Sequence, residues 1–431
     1  MSEPAHQSAP PPADVPPQKV YIELTTECNL DCRMCIRHSW TTGGGSMSRG
    51  TFDRVIAGLG ELGRRGVSPR SPGRDQDVVS AGAIQRGEDA ASTEAAASAN
   101  VTPRGEDAAS TEAASTAVNF SGYGEPMTHP LFWEFLAQAK RAGLWAELVT
   151  NGTLLNAAAA DLLVELRADR VIVSVDTVDA APASALHPNS LAELAGRLRT
   201  LKDRKARANS AKPDLWLEFV ATRSNIHQLP ELRRLSVGLG FSSILVTNLA
   251  PHTSDLGGQV LYSHWSTTTR SAAPSPYSPV VDLPQMDAEP SVSAAVDRLR
   301  HMGTHLRVNG ADVHSAGPRC PFVARGRFAV RHDGLVSPCL PLLHDHTVYF
   351  RSRAKQVAAF HLGDVNASPL ADIWHSPAYR AFRRRVLAFE FSPCTDCGGC
   401  DLRESNRDDC SGGPAPRCGE CLWAAGLLQC P

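Results

Sequence analysis

The stretch Cys28-Asn29-Leu30-Asp31-Cys32-Arg33-Met34-Cys35 constrains this chain more than any other. Its three cysteines, spaced CxxxCxxC, come directly after Val20-Tyr21-Ile22-Glu23-Leu24. That run is β-branched and aromatic with no breaker, and it reads as a strand. A loop this compact turns three thiolates toward a single centre. Tetrahedral zinc takes four ligands, usually as two separated pairs, so three crowded cysteines suit it poorly. A cubane iron–sulfur cluster suits them better: thiolates hold three irons, and the fourth iron stays open for a non-protein ligand. A zinc knuckle and buried free thiols are the plainer readings of the same residues.

The other cysteines are placed unevenly. Of 12 in 431 residues, three lie at 28–35, none follows until Cys320, and the rest run to the end. The pattern suggests a cysteine-poor catalytic domain followed by a cysteine-rich one, in a chain long enough for two or three domains. Residues 1–18 are rich in Pro and Ala, lack the apolar core of a signal peptide, and read as a disordered tail. With no export signal, the cysteines argue for metal or redox chemistry in the cytoplasm rather than for disulfides. A formal net charge of -2 shows no footprint for nucleic acid or an anionic membrane. No apolar run is long enough to span a bilayer.

After the cysteine loop, Phe52, Val55, Ile56, Leu59 and Leu62 recur at helical spacing, with Ser48 or Thr51 as the N-cap. Residues 69–116 break every rule for a packed element, being mostly Ala, Ser, Thr, Gly and charged side chains. This segment repeats the string Arg86–Ala96 unchanged at Arg104–Ala114. Two copies are too few for a solenoid, so a disordered insertion grown by duplication is expected. Regular alternation then resumes. Strands are expected at Ala117–Phe120, Ala146–Thr150, Val171–Asp176, Leu215–Ala221 and Ser243–Thr247. Helices are expected at Pro130–Arg141, Asn156–Arg167, Leu191–Lys202 and Leu229–Leu239. About six β–α units imply an α/β fold with a parallel sheet: a partial (β/α)6 barrel, too short for a complete eight-fold one. Residues 251–310 are expected to be a linker or lid.

In β/α barrels the chemistry gathers at the C-terminal ends of the strands. The cysteine triad follows strand one, Gly122-Tyr123-Gly124-Glu125-Pro126 follows strand two, and Asn151-Gly152 follows strand three. Ser174 and Asp176 close strand four. Any one Gly turn alone is an ordinary tight turn; recurrence at successive strand ends marks a ligand site, because glycine lets backbone approach closely.

These residues resemble the radical S-adenosylmethionine (radical SAM) superfamily. The resemblance implies a [4Fe-4S] cluster on Cys28, Cys32 and Cys35 whose open iron chelates SAM. It also implies that Gly124, Glu125 and Pro126 lie along the SAM amino group, that Ser174 and Asp176 contact the ribose, and that Gly122 and Asn151 belong to the same cofactor-binding site. In Leu245-Val246-Thr247-Asn248, the Val246 backbone is implied near the adenine. Met34 departs from the aromatic residue that many members carry, at a position that shields the cluster rather than ligating it.

The remaining cysteines begin with Cys320 and Cys339, either side of two short β runs about Asp333-Gly334 that read as a hairpin. The spacing Cys-x13-Gly-x4-Cys resembles the SPASM domain, an auxiliary-cluster module, as do Gly363-Asp364-Val365, Leu370, Ile373-Trp374 and Ser376. Cys394, Cys397, Cys400, Cys410, Cys418, Cys421 and Cys430 depart from the usual SPASM arrangement. They supply, with the first two, ligands for two [4Fe-4S] clusters with one thiol left over. Zinc is the alternative for the CxxC pairs. The division expected puts Cys320 and Cys339 on an inner cluster and Cys394, Cys397 and Cys430 on an outer one. The remaining four are unassigned.

The tail from Cys397 to Pro431 resembles the maturases associated with tungsten-dependent aldehyde ferredoxin oxidoreductases. The resemblance implies reductive cleavage of SAM to a 5′-deoxyadenosyl radical, a ferredoxin- or flavodoxin-like electron donor, and a tungsten-dependent oxidoreductase as client. A maturase of a ribosomally made peptide is the second reading. A non-catalytic iron–sulfur or zinc protein is the third. The expected domains are a radical SAM barrel at 19–250 and an auxiliary-cluster domain at 311–431.

Overall fold

The structure, a computed structural model, describes residues 16–66, 116–178, 191–262, 279–287, 289–302, 304–308, 311–312, 320–350, 353–392 and 400–431. The chain opens with β1 (Lys19–Ile22) and α1 (Arg49–Gly66), then alternates through β2 (Ala117–Phe120), α2 (Phe132–Arg141), β3 (Trp145–Thr150) and α3 (Ala157–Glu165). It continues with β4 (Arg170–Ser174), α4 (Leu191–Arg207), β5 (Asp214–Ala221), α5 (Leu229–Leu239) and β6 (Ser243–Asn248). Strands β1 to β6 pair in sequence order, all parallel. The six expected strands and the five helices between them are therefore present, each within five residues of its expected ends. Ser48 caps α1, its hydroxyl accepting from the Thr51 N–H at 3.1 Å. Asn156 caps α3 through the Ala159 N–H at 2.9 Å. Each cap satisfies a donor the first helical turn leaves open.

Burial alternates along the strands as a two-sided sheet requires. On β5, Leu215, Leu217, Phe219 and Ala221 are buried in the main apolar core under the helices. Trp216 and Glu218 face the other way, into the barrel. There Glu147 is held by Lys19, by Arg170 at 3.2 Å and by Asn119 at 2.7 Å. Arg170 in turn stacks 3.8 Å over the Trp216 ring. This polar layer lies toward the strands' starting ends, away from the cysteine loop.

The segment 251–310 is not simply a linker or lid. It adds β7 (Val280–Leu283), α6 (Pro290–His301) and β8 (His305–Val308), with β7 parallel to β6 and β8 parallel to β7. The helical signal was there: Val292, Ala295, Val296 and Leu299 recur at i, i+3, i+4 and i+7, and all are buried. The two strands are only four residues each, too short for periodicity to register. A two-residue strand, β9 (Ala311–Asp312), ends this side of the sheet.

The cysteine-rich part does not stand apart from the barrel. After α7 (Pro321–Ala324), β10 (Arg327–Val330) pairs parallel with β1, and β11 (Leu335–Ser337) returns antiparallel. The expected hairpin about Asp333-Gly334 thus extends the sheet beyond β1. Gly334 takes φ +97°, open to glycine at no steric cost. A separate ribbon of β12 (His346–Phe350) and β13 (Arg353–Val357) follows. Then come β14 (Gly363–Asp364), α8 (Leu370–His375) and α9 (Pro377–Leu387). Leu370, Ile373 and Trp374 are buried, and α8 packs so closely on α1 that a Cβ on Gly58 would meet Leu370 at 2.6 Å.

The expected tail 1–18 and insertion 69–116 lie outside the described residues except at their ends. Thr116 is buried and donates to the Pro17 carbonyl at 3.0 Å, which brings the start of β2 beside that of β1. Among the described residues no helix is long and apolar enough to cross a membrane.

Candidate active site

The cysteine loop leaves β1 through Glu23 and Leu24 and is tied at its base. Thr25 pairs with Ser46 in an antiparallel bridge, the Thr26 N–H donates to Gly45 at 3.0 Å, and Met47 donates to Leu24 at 2.7 Å. Above this neck the chain turns over three half-buried thiols, Cys28, Cys32 and Cys35, none of them in a disulfide. The Cys35 N–H closes the last turn onto the Cys32 carbonyl at 2.9 Å. Arg37 aims its Nε at the Cys35 sulfur, 3.4 Å away, and its other arm holds the Leu30 carbonyl at 2.6 Å. Asn151, at the end of β3, directs its amide toward the Cys28 sulfur at 3.7 Å. Burial pushes the Cys32 thiol up to about 12 and raises Cys28 as well. Burial thus disfavours the thiolate at Cys28 and Cys32 unless a cationic group sits among them, which is what the irons of a cluster provide.

The glycines after β2 press against this loop. A Cβ on Gly124 would lie 2.2 Å from the Thr25 carbonyl oxygen and 2.6 Å from that of Glu27. A Cβ on Gly122 would fall 2.7 Å from the Glu23 side chain. Glu125 then locks the contact, its N–H donating to Glu27 at 2.8 Å. Its buried carboxylate accepts from the Thr150 hydroxyl at 2.9 Å and the Asn151 N–H at 2.8 Å; burial raises it to about 7. Pro126 begins the short turn that follows. Gly124→Ala is expected to lose about 1–3 kcal/mol of stability through this overpacking. Iron incorporation at the triad should fall with it. Anaerobic denaturant unfolding with iron analysis checks both.

Opposite the loop, at the end of β4, Asp176 is 2% exposed and neither of its carboxylate oxygens has a hydrogen-bond partner among the described residues. Burial, then the Glu218 charge, raises it to about 8. Its own charge also acts on Cys32, so it lies within reach of the loop. Ser121 Oγ after β2 and Asn248 Oδ1 on β6 are likewise buried and unmatched. Orphaned polar atoms on several strand ends are costly unless a ligand meets them, and a ligand rich in hydroxyl, amine and carboxylate groups fits. The Ser174 hydroxyl, by contrast, is already directed at Glu218 at 3.3 Å. Val246 is on β6, and its carbonyl accepts from the Gln429 side chain at 2.5 Å; Gln429 also reaches the Asp282 carbonyl at 2.7 Å. The C-terminal strap thus lies along β6 and β7.

The far wall comes from the segment after β6. Met34 packs against Leu249 and Leu256, and Arg33 pairs with Asp255. Both partners of that ion pair are half exposed, so it adds little energy and serves to set position.

A second group of thiols gathers in the cysteine-rich part. Cys320, Cys339, Cys418 and Cys421 line one cavity, and the charges of Cys421, Cys320 and Cys418 all act on Cys339. Burial raises all four thiols, Cys320 to about 12. The Cys418–Cys421 turn is braced from outside. Its Glu420 accepts from Lys355 at 2.9 Å and Arg403 Nε at 2.8 Å, while a Cβ on Gly419 would collide with the Ser392 carbonyl at 1.8 Å. Cys400 and Cys410 are exposed and do not line that cavity. Cys394 and Cys397 lie outside the described residues. Cys430 packs instead with Tyr21, Tyr123 and Trp423 in the cluster that also holds Cys320 and Cys339, its sulfur accepting from Trp423 Nε1 at 3.2 Å. Cys430 was expected on the outer cluster with Cys394 and Cys397, which lie outside the described residues; what the structure shows is Cys430 beside the inner pair, Cys320 and Cys339.

Glu23, Glu218, His332 and His344 also occupy this face and were missed in the sequence. Strand parity could have found the carboxylates: Glu23 follows Tyr21, and Glu218 follows Trp216, on the inward side.

A family model for the SPASM iron–sulfur cluster-binding domain matches residues 320–401. The chain is similar to the "Tungsten-containing aldehyde ferredoxin oxidoreductase cofactor-modifying protein" of Pyrococcus furiosus, 26% identical over 416 residues, 96% of each chain. It is similar to the PqqA peptide cyclase of Methylorubrum populi, 30% identical over 302 residues, covering 68% of this chain and 67% of that one. Among solved structures it resembles Streptococcus suis SuiB bound to S-adenosylmethionine, with TM-score 0.50 and 12% identity over 89% of this chain and 71% of that one. It also resembles anSMEcpe with bound AdoMet, with TM-score 0.50 and 15% identity over 96% and 93%.

Proposed function

Because the chain belongs to the radical SAM/SPASM family of maturases, we propose that its client is a tungsten–pterin oxidoreductase, whose cofactor or polypeptide it modifies. The observation that carries this reading is the end-to-end match to the Pyrococcus furiosus cofactor-modifying protein, covering 96% of both chains. The PqqA cyclase match leaves about a third of either chain unaligned.

Family membership makes the protein an enzyme that uses iron–sulfur clusters and SAM. Bound at the triad, they supply one-electron cleavage of the SAM S–C5′ bond and a radical that takes hydrogen from the client. In our reading Cys28, Cys32 and Cys35 hold that cluster, with Arg37 and Asn151 directing N–H groups at its sulfurs. Gly122, Gly124, Glu125 and Pro126 form the wall against which the SAM amino end rests. Asp176 receives the ribose hydroxyls, and Glu218 holds Ser174 beside it. An adenine at Val246 meets the Gln429 strap as well as β6. The segment carrying Leu249 and Leu256, packed against Met34 of the loop, excludes water from it. The electron donor in this reading is a ferredoxin or flavodoxin. The barrel at 19–250 carries the radical chemistry, and residues 311–431 carry the auxiliary clusters.

The test is the activity and metal content of the oxidoreductase synthesised with and without this protein. We expect it to be made but inactive in the absence of the maturase. Full activity in that absence, with a mass shift on a small co-encoded peptide when the maturase is present, would transfer the case to the peptide-modifying reading that the PqqA similarity favours.

A further inference from the structure

We propose that Glu23, His332 and His344 form a mononuclear zinc site on the chemistry face of the barrel, separate from every cysteine. One ligand atom from each residue lies within 4.8 Å of the other two. The Glu23 carboxylate is 2.8 Å from His344 Nε2 and 3.1 Å from His332 Nδ1. Ligand atoms around tetrahedral zinc, at bonds of about 2.0–2.1 Å, stand roughly 3.3 Å apart. The carboxylate is thus already near that spacing from both imidazoles, and the two ring nitrogens lie within 4.8 Å of each other.

The surroundings are those of a prepared site. Glu23 and the His344 side chain are fully buried, while the His332 side chain is 12% exposed and leaves an entry at one edge. His344 presents Nε2 inward because its other nitrogen, Nδ1, meets the Thr42 hydroxyl at 3.3 Å. Such an outer partner fixes tautomer and ring orientation in metal-binding histidines. Trp40 stacks on His344 with centroids 4.4 Å apart, and His344 lies nearly parallel to His332 at 6.1 Å. The loop backbone closes over His332, since a Cβ on Gly45 would fall 2.5 Å from its Nε2. Gly122 packs on Glu23 from the other side. Each ligand is therefore held by a different element: the end of β1, the β10–β11 turn, and the segment before β12.

Two imidazoles and one carboxylate suit zinc, with ferrous iron the rival for the same donors, and exclude the softer thiol-seeking ions; hard calcium and magnesium prefer all-oxygen sites. Three protein ligands leave a fourth position open, as in catalytic rather than structural zinc sites. Tyr123 packs edge-on against His344, ring centroids 5.9 Å apart.

The experiment uses the full chain, reconstituted anaerobically with iron and sulfide, stripped of loose metal and then given zinc or cobalt(II). We expect one equivalent of zinc to survive desalting, in addition to the iron. The cobalt derivative should show ligand-field bands with no thiolate charge-transfer band. His332→Asn and His344→Asn should each weaken binding at least about a hundredfold, and Thr42→Val by about tenfold, the range for losing an outer-shell partner. Iron content serves as the folding control. If His344→Asn does not fold, His332→Asn at the exposed edge carries the test. Absence of retained zinc in the wild type, equal retention in His332→Asn, or a cobalt spectrum dominated by thiolate bands would each overturn the proposal.

Discussion

Replacing Cys28, Cys32 and Cys35 together with alanine is expected to reduce 5′-deoxyadenosine formation from SAM to background while the auxiliary irons remain. The loop's shape does not depend on its thiols. Its neck is held by the Thr25–Ser46 bridge and by Met47, and its flank by the Glu125 N–H on Glu27. The three sulfurs are only half buried, so truncating them removes little packing. The four thiols around Cys339 sit on α7, the β11 end and the chain's last turns, and share no ligand with the triad. What the variant loses is the one group whose cluster leaves an iron free for a small molecule. Anaerobic turnover with a strong reductant, with iron quantified on the same sample, checks the prediction. Persistent 5′-deoxyadenosine from the triple variant would place the chemistry elsewhere in the chain.

Much of the site was legible because its residues lie at strand ends, and strand ends are easy to read. Val171-Ile172-Val173 is a continuous apolar run, so Ser174 and Asp176 could be placed at its close before any coordinate was known. The glycines after β2 were legible as a close approach, but their partner was not. Gly124 meets the carbonyls of Thr25 and Glu27, a contact between residues about a hundred positions apart. Glu218 escaped for a related reason. Strand parity marks its inward side, but only its neighbour Ser174 across the sheet gives it a role. The extension of the sheet by β7 and β8 was hidden by shortness, and β10 by topology. Nothing local says that a hairpin near residue 330 will pair with the first strand of the chain.

The cysteine-rich part was the least legible, since spacing alone cannot say which thiols converge, and here the geometry supports a division. Cys320→Ala and Cys421→Ala are each expected to remove the same auxiliary cluster, lowering iron by about four per chain from roughly twelve for three cubanes. Cys400→Ala and Cys410→Ala should spare that cluster and deplete the other. The grouping follows from how the chain is braced. Cys320 opens α7 and Cys339 follows β11, both fixed by a hairpin that is part of the main sheet. Cys418 and Cys421 are brought to them by a turn that cannot drift. Glu420 between them is clamped by Lys355 and Arg403, and Gly419 rides against the Ser392 backbone. We infer that, with this set taken as four ligands, the second cluster draws on Cys394, Cys397 and the exposed Cys400 and Cys410, and Cys430 is the thiol left over. Cys430→Ala should accordingly keep the full iron complement. Matched electron paramagnetic resonance spectra of the reduced variants would read the division directly. Stoichiometric zinc in the tail with iron for one cubane alone, or loss of a cluster in Cys430→Ala, would redraw it.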